Sequence, residues 1–369
     1  MIAEQLDAET RAVLERFGFD AGEFERQRAK VADGSLSPAT NVVGGRVEPP
    51  AQEDLTPLPE RDTPAWNDWR AAGIESLRRG EVAQVILNGG MATRFGGIVK
   101  GIVEVFDGKS FLDVKLGETE RLAAALEAEV PTAVMTSFAT HEATRAFLAA
   151  REGSEPAVFS QFVSLRLEPD GALFRSSDGA PSLYGPGHGD VLPAIRTSGV
   201  LADLARRGVR HVQISNVDNL GARIDPVVLG GHLHGERPFT SESAPKDGDM
   251  GGAPARVDGR PMLLETYRFP PGFDQSQIPV FNTNTGWFTL DALERSYELT
   301  WLYVEKQVGG RKAIQLERLY HEVSAFLPTT YLVVPRTGPR GRFVPIKTPE
   351  DLDAARPALH ELLVRPPLD

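Results

Sequence analysis

The sequence predicts an α/β protein built on an open, mostly parallel sheet. Three observations carry that expectation. Short β-prone runs recur along the chain: VAQVILN at 82–88, TAVMTS at 132–137, HVQISNVD at 211–218 and YLVVP at 331–335. Helix-period stretches at 117–129, 140–151 and 199–207 lie between them, and strands alternating with helices make βαβ units. The first run is wholly apolar at 85–87 and ends in Gly89-Gly90, the pattern of a strand buried on both faces.

The remaining elements follow in order. Leu6, Val13, Leu14 and Phe17 recur at helical spacing within residues 1–33, which predicts two short amphipathic helices. Asp20 suits the N-cap of the second, with Glu23 at the reciprocal capping-box position. Residues 34–63 are rich in Gly, Ser and Pro and read as a linker or an arm lying over a surface. A helix over 65–79 comes next, with Trp66, Trp69 and Ile74 on one side and Gly80 as its stop. Residues 236–290 read as an inserted, strand-rich mixed sheet.

Composition narrows the function. The 369 residues carry 40 Lys+Arg against 51 Asp+Glu, a formal charge of −11, and no cysteine. Disulfides, thiolate metal sites and cysteine nucleophiles are therefore excluded. The acidic balance argues against a nucleic-acid partner, but leaves room for a local cationic pocket. No apolar run approaches the roughly 18 residues of a membrane span. The N-terminus has early acidic residues and no apolar h-region, so a cytoplasmic protein with no membrane partner is expected.

In parallel sheets ligands bind at the carboxyl ends of strands, so the loops after Asn88, Thr136 and Asn216 are the places to look. LNGGMATRFGGIVKG (87–101) runs from strand into glycines, with Arg94 and Lys100 adding charge. Backbone N–H groups freed by glycine can approach phosphate closely. The segment is neither a Walker A loop nor a GxGxxG fingerprint, and a glycine-rich turn with incidental basic residues would have the same pattern. YGPGHGDVLPAI (184–195) sets His188 between glycines beside Asp190. The histidine is either used chemically, part of a plain turn, or paired with Asp190. SNVDNLGARID (215–225) places Asp218 at a strand's carboxyl end. A carboxylate there among phosphates suits Mg²⁺, which takes one or two carboxylates plus phosphate oxygens, while Asp-Asn as a turn former is the alternative. Weaker candidates are Gln161 for a base edge, FNTNTGW (281–287) for sugar hydroxyls, Glu265, and Lys306 beside a Gly-Gly turn. The histidines of GHLHG (231–235) have no further ligands at zinc spacing.

Taken in order, these segments resemble the UDP-glucose pyrophosphorylase family of UTP–sugar-1-phosphate uridylyltransferases. The glycine loop resembles the family's LNGGLGT…PKS signature, PGHGD matches its motif letter for letter, and SNVDNLGA nearly so. THEATRAFL, FNTNTGWF, AIQLE and RFVPIKTPEDL resemble later segments, so the likeness spans 82–355. The resemblance implies a Rossmann-like nucleotidyltransferase fold of GT-A-like type, with an inserted sugar-binding region. It assigns Leu87, Asn88, Gly89, Gly90, Gln161, Gly187, His188 and Asn216 to the nucleotide. It assigns Glu265, Asn282 and Asn284 to the sugar, Lys100, Lys306 and Arg94 to the phosphates, and Asp218 to Mg²⁺. Ala92 and Val99 depart from it, standing where the family usually has glycine and proline.

The implied organisation is a helical arm and linker over 1–75, a catalytic nucleotidyltransferase unit over 76–330 and a closing segment over 331–369. Residues 351–369 are too few for the β-helix that larger relatives carry after RFVPIKT. The implied reaction joins UTP and a hexose 1-phosphate, with glucose 1-phosphate expected first, to give UDP-sugar and pyrophosphate. A UDP-N-acetylhexosamine or broad UDP-sugar enzyme is the alternative, as is a catalytically weak nucleotide-binding homologue altered at Ala92 and Val99. A nicotinamide dehydrogenase is disfavoured by the missing fingerprint.

Overall fold

The computed structural model describes residues 2, 6–92, 97–248 and 251–368. Its centre is an eight-stranded sheet of β1 (Leu55–Pro57), β2 (Val82–Leu87), β3 (Thr132–Thr136), β4 (Ala157–Ser160), β5 (His211–Asn216), β6 (Phe239–Pro245), β7 (Val280–Thr289) and β8 (Thr329–Val333). The order across the sheet is β1-β8-β6-β7-β5-β2-β3-β4. β7 runs antiparallel to both neighbours, and the other pairings are parallel. The mostly parallel α/β sheet is therefore as expected, and its four apolar runs all become strands.

Among the described residues the α-helices are α1 (Ala8–Arg16), α2 (Ala21–Ala32), α3 (Pro64–Arg78), α4 (Phe111–Leu126), α5 (His141–Ala150), α6 (Val191–Thr197), α7 (Val200–Arg206), α8 (Pro226–Gly235), α9 (Leu290–Glu294) and α10 (Pro349–Val364). Alternation along β2 sorts its side chains. Ala83, Val85 and Leu87 join a core with α6, α7 and α9, whereas Ile86 joins Phe111, Leu112 and Leu116 of α4 and Leu359 of α10. Both faces are covered, which is why the strand reads as wholly apolar at 85–87. Among the described residues no helix is long and apolar enough to cross a membrane.

α3 and α8 meet backbone to backbone. A Cβ on Gly73 would lie 1.9 Å from the Pro226 carbonyl oxygen, and one on Gly230 2.0 Å from that of Trp69. Gly230→Ala is therefore expected to push the helices apart, at a cost of about 1–3 kcal/mol. A lowered urea midpoint at unchanged slope would show it, and an unchanged midpoint would contradict it.

Several local expectations need correction. The 34–63 segment is more than a linker. Val47–Glu48 pairs with Arg256–Val257, and β1 forms an edge of the main sheet against β8. α4 begins at Phe111 rather than at 117, because Ser110 and Asp113 form a reciprocal capping box. Asp20 caps α2 as expected, accepting from the Glu23 N–H. The Glu23 carboxylate does not reciprocate; it accepts from Gln27 and from Trp301 Nε1 instead. That contact helps hold α2 against the body, where Phe24 and Val31 pack with Leu165, Leu167 and Tyr303.

Candidate active site

The site lies at the carboxyl ends of β2 and β5, which are adjacent and parallel with Leu87 opposite Asn216. Beyond β2 the chain turns through Gly89-Gly90 into a hairpin, in which Met91–Ala92 pairs with Ile98–Val99. Arg94 lies outside the described residues. Lys100 leaves the hairpin, its N–H donating to the Gly90 carbonyl at 3.3 Å. Its Nζ reaches Asp218 Oδ2 at 2.5 Å, both side chains being mostly shielded. Two residues 118 positions apart are thus brought together because each follows a neighbouring parallel strand.

Leu87 and Asn88 are placed differently from the expected ligand contacts. The Leu87 side chain is in the core, and its carbonyl accepts from the Val217 N–H at 3.0 Å. Asn88 is fully buried. Its Nδ2 donates to Thr144 Oγ1 and its Oδ1 accepts from the Gly101 N–H, each at 3.0 Å. Asn88 therefore braces the glycine loop from beneath, its side-chain hydrogen bonds made to the protein.

Gln161 follows β4 and threads between two glycines. A Cβ on Gly89 would lie 2.7 Å from its Nε2, and one on Gly185 2.3 Å. The glycines make room for the carboxamide; a larger residue at either position would displace it.

The PGHGD loop is fastened to the strand Arg311–Glu317 and the residue after it. Gly187 has φ +93°, and a Cβ there would meet the Arg318 carbonyl oxygen at 2.5 Å, so glycine is required twice over. Asp190 is fully buried and accepts from Arg318 Nη2 at 2.6 Å and from the Phe162 N–H at 3.2 Å. Burial pushes its carboxyl up, opposed by Arg318. The His188–Asp190 pairing considered from sequence does not form. Instead His188 Nδ1 accepts from the Tyr320 N–H at 3.2 Å, which leaves the proton of the neutral ring on Nε2. Burial, then His321, push His188 down to about 3.

Asn284 sits at a β-bulge. The β6–β7 register jumps from Glu242 opposite Thr285 to Ser243 opposite Asn282, and Asn284 takes φ +57°, a conformation asparagine tolerates better than most residues. The bulge turns its Nδ2 onto Asn216 Oδ1 at 3.0 Å, while Asn284 Oδ1 is buried without a partner. Asn282 Oδ1 accepts from the Asn284 N–H at 3.1 Å and from Ser241 Oγ at 3.2 Å. Tyr320 Oη donates to the Asn284 carbonyl at 3.0 Å, linking this segment to His188. Glu265 borders it through Gly252: a Cβ there would lie 2.6 Å from Glu265 Oε1, and the Gly252 carbonyl accepts from the Asn282 N–H at 2.7 Å. Burial raises the Glu265 carboxyl, helped by Glu317 and opposed by a Gly252 hydrogen bond. Lys306, on the hairpin strand Leu302–Val308, is half exposed with Nζ 3.5 Å from Glu317 Oε1.

For Mg²⁺, the donor set is sparse. Among the described residues no three His, Asp or Glu side chains gather as a metal cage. Asp218 alone, with Lys100 on one oxygen, fits an ion carried mainly by nucleotide phosphates. In GHLHG both ring nitrogens of His232 are engaged by the protein, with Thr240 Oγ1 at 2.9 Å and His211 Nδ1 at 3.1 Å.

Sequence reasoning missed Lys115, Glu242 and Arg342. Lys115 is buried inside α4 and donates to the 215–222 loop. Burial, then Arg342, push its ammonium down to about 7, opposed by Asp218 and Glu242. A lysine flanked directly by Val114 and Leu116 is the available signal.

Three neutral histidines predict an acid-sensitive fold. Burial holds His188 and His232 at about 3 and His321 at about 4, against about 6.5 when unfolded. Between those values the unfolded chain binds more protons, so stability falls as pH drops from about 6.5 toward 4. Urea midpoints at pH 7, 6 and 5 should decline in that order, and His232→Gln should flatten the slope. A midpoint constant down to the carboxylate range would contradict this.

A UTP–glucose-1-phosphate uridylyltransferase of Hordeum vulgare is 32% identical over 295 residues, 75% of this chain and 62% of the relative. The chain thus spans about three-fifths of that relative's length. A Leishmania major UDP-glucose pyrophosphorylase variant in complex with UDP-glucose is similar at TM-score 0.68 and 26% identity, covering 89% of this chain and 73% of that one. A Trypanosoma brucei UDP-N-acetylglucosamine pyrophosphorylase shares the fold at TM-score 0.75 and 21% identity, covering 94% and 79%. A family model described as UTP–glucose-1-phosphate uridylyltransferase matches residues 35–363, so the chain belongs to that family.

Proposed function

We propose that this protein transfers the uridylyl group of UTP to glucose 1-phosphate, giving UDP-glucose and pyrophosphate. The observation that carries the reading is the meeting of Lys100 and Asp218 at the carboxyl ends of the adjacent parallel strands β2 and β5, next to a glycine hairpin. It is supported by membership of the family and by the Leishmania major structure that holds UDP-glucose.

A phosphate oxygen of the sugar 1-phosphate attacks the α-phosphorus of UTP in line. One P–O bond forms, the bond to the β-phosphate breaks, and pyrophosphate carries away the electron pair. The nucleophile is already an anion, so no general base is needed. The protein's task is to hold two polyanions together and to stabilise the charge that moves to the leaving group. Gln161, Gly89 and Gly187 receive the uracil end, and Gly90 leaves the backbone open beside the phosphates. Lys100 moves from Asp218 onto phosphate, and Lys306, half exposed, gives a second cation; the family resemblance adds Arg94 as a third. Asn216 lies toward the nucleotide, and Asp218 would hold Mg²⁺, which when bound neutralises phosphate charge. His188, neutral, donates from Nε2 as a positioning group. The unpartnered Asn284 Oδ1, Asn282 and Glu265 face the sugar hydroxyls.

The test is pyrophosphate release from Mg²⁺-UTP with a panel of glucose, galactose and N-acetylhexosamine 1-phosphates. Glucose 1-phosphate should be turned over best. Preference for an N-acetylhexosamine would replace the proposed sugar. UTP binding by calorimetry without turnover would replace catalysis with a nucleotide-binding role.

A further inference from the structure

We propose that Lys115 is a positioning residue for the nucleotide loop, its ammonium serving as a built-in monovalent cation. The inference rests on the uridylyl-transfer reading above. Lys115 is 4% exposed. Its Nζ lies 2.9 Å from Ser215 Oγ and 3.2, 3.1 and 3.0 Å from the carbonyl oxygens of Asn216, Asn219 and Ala222. An ammonium has three N–H donors, so four oxygens at this range surround it as they would a bound ion. All four come from one eight-residue segment, 215–222, which carries Asn216 and Asp218 on its other side.

Without a cation, three carbonyl oxygens pointing at one spot repel one another. Beyond β5 the segment is held by the Ile346 N–H on the Asp218 carbonyl at 3.1 Å and by its own Leu220 N–H on the Val344 carbonyl at 3.3 Å, and the repulsion would be taken up against those ties. Asn216 and Asp218 lie on this segment. β5 itself is held by ladders on both sides, and the far end of the loop has its own brace. There Gln213 Nε2 donates to the Arg223 carbonyl at 2.9 Å, and Gln213 Oε1 accepts from Gln84 at 3.0 Å. The loop thus sits between two ammonium groups. Lys100 meets Asp218 from the cleft and is free to turn to phosphate, while Lys115 holds the backbone from beneath and has nowhere else to go. Lys115 touches no ligand in this scheme and acts only through the loop.

The experiment compares wild type with Lys115→Ala and the near-isosteric Lys115→Met, in NaCl and with NH₄Cl or KCl titrated in. The readouts are steady-state pyrophosphate release, Mg²⁺-UTP calorimetry and thermal melting. Lys115→Ala should raise the KM for UTP about 10–100-fold, the range seen when a supporting group behind a ligand-binding residue is removed, with kcat changed far less. Ammonium or potassium should refill the vacated cage and recover part of that loss, whereas the wild type should ignore the choice of salt. Lys115→Met, whose chain fills the space, should show the KM defect without the rescue. An unchanged KM, a KM defect with no cation response in Lys115→Ala, a loss confined to melting temperature, or failure of both variants to fold would overturn the proposal. If the wild type binds UTP but turns over no sugar phosphate, the reading of the reaction fails on its own, and the calorimetric arm still decides Lys115.

Discussion

Lys100→Ala is expected to lower turnover by about 10²-fold or more, the loss typical when a preorganised group facing transition-state charge is removed. Lys100 stands at the carboxyl end of β2 with its ammonium 2.5 Å from Asp218 Oδ2. Removing it changes the cleft twice: a cation that would meet the phosphates is lost, and the Asp218 carboxylate is left unmasked toward a triphosphate. The second effect makes a sharper expectation. Without metal, UTP should bind Lys100→Ala more weakly than it binds the double variant Lys100→Ala/Asp218→Asn, in which the bare carboxylate is gone. With metal, Asp218→Asn alone should raise the Mg²⁺ concentration needed for half-maximal rate. Near-normal rates for both Lys100→Ala and Asp218→Asn would remove these residues from the site.

Arg342→Met is expected to destabilise the fold by about 3–5 kcal/mol, because it strands the buried Glu242 charge. Arg342 and Glu242 are 1% and 0% exposed at the side chain. The guanidinium grips the carboxylate in a fork, Nε to Oε2 at 2.8 Å and Nη2 to Oε1 at 2.7 Å, and Trp287 Nε1 donates to the same carboxylate at 2.9 Å. The pair ties the segment after β8 to the middle of β6. Arg342 also shapes the site, since its carbonyl accepts from Asn219 Nδ2 at 3.1 Å and a Cβ on Gly221 would strike its carbonyl carbon at 2.6 Å. Replacing both partners, as Glu242→Gln/Arg342→Met, should cost less than Arg342→Met alone, since no charge is then left unpaired. Urea unfolding of the three proteins checks this, and a double variant less stable than the single one would refute it.

Much of the site was legible because its residues lie in runs with local meaning. VAQVIL reads as a two-faced buried strand from its own composition, and the glycines after it mark the loop at its end. Lys100 and Asp218 could both be placed at strand ends in the same way, which is enough to predict a common crevice in a parallel sheet. Asn88 is harder to read, because its letter is equally consistent with a ligand contact and with a brace. Only the positions of Thr144 and Gly101 choose between them. Glu242 lay in a segment with no readable pattern, and its partner is 100 residues away.

The sequence by itself determined the parallel α/β sheet, the order of its loops and the family to which they belong. Each of these follows from residue spacing and from backbone freedom at glycine, which are properties of neighbours along the chain. The tertiary structure alone decided that β7 bulges at Asn284, that Arg342 passes through the core to Glu242, and that Lys115 fills an oxygen cage formed by the 215–222 segment. Those depend on the register between strands and on which buried charge finds which partner. Both are set when distant segments close on one another and each buried polar group must be paired or neutralised.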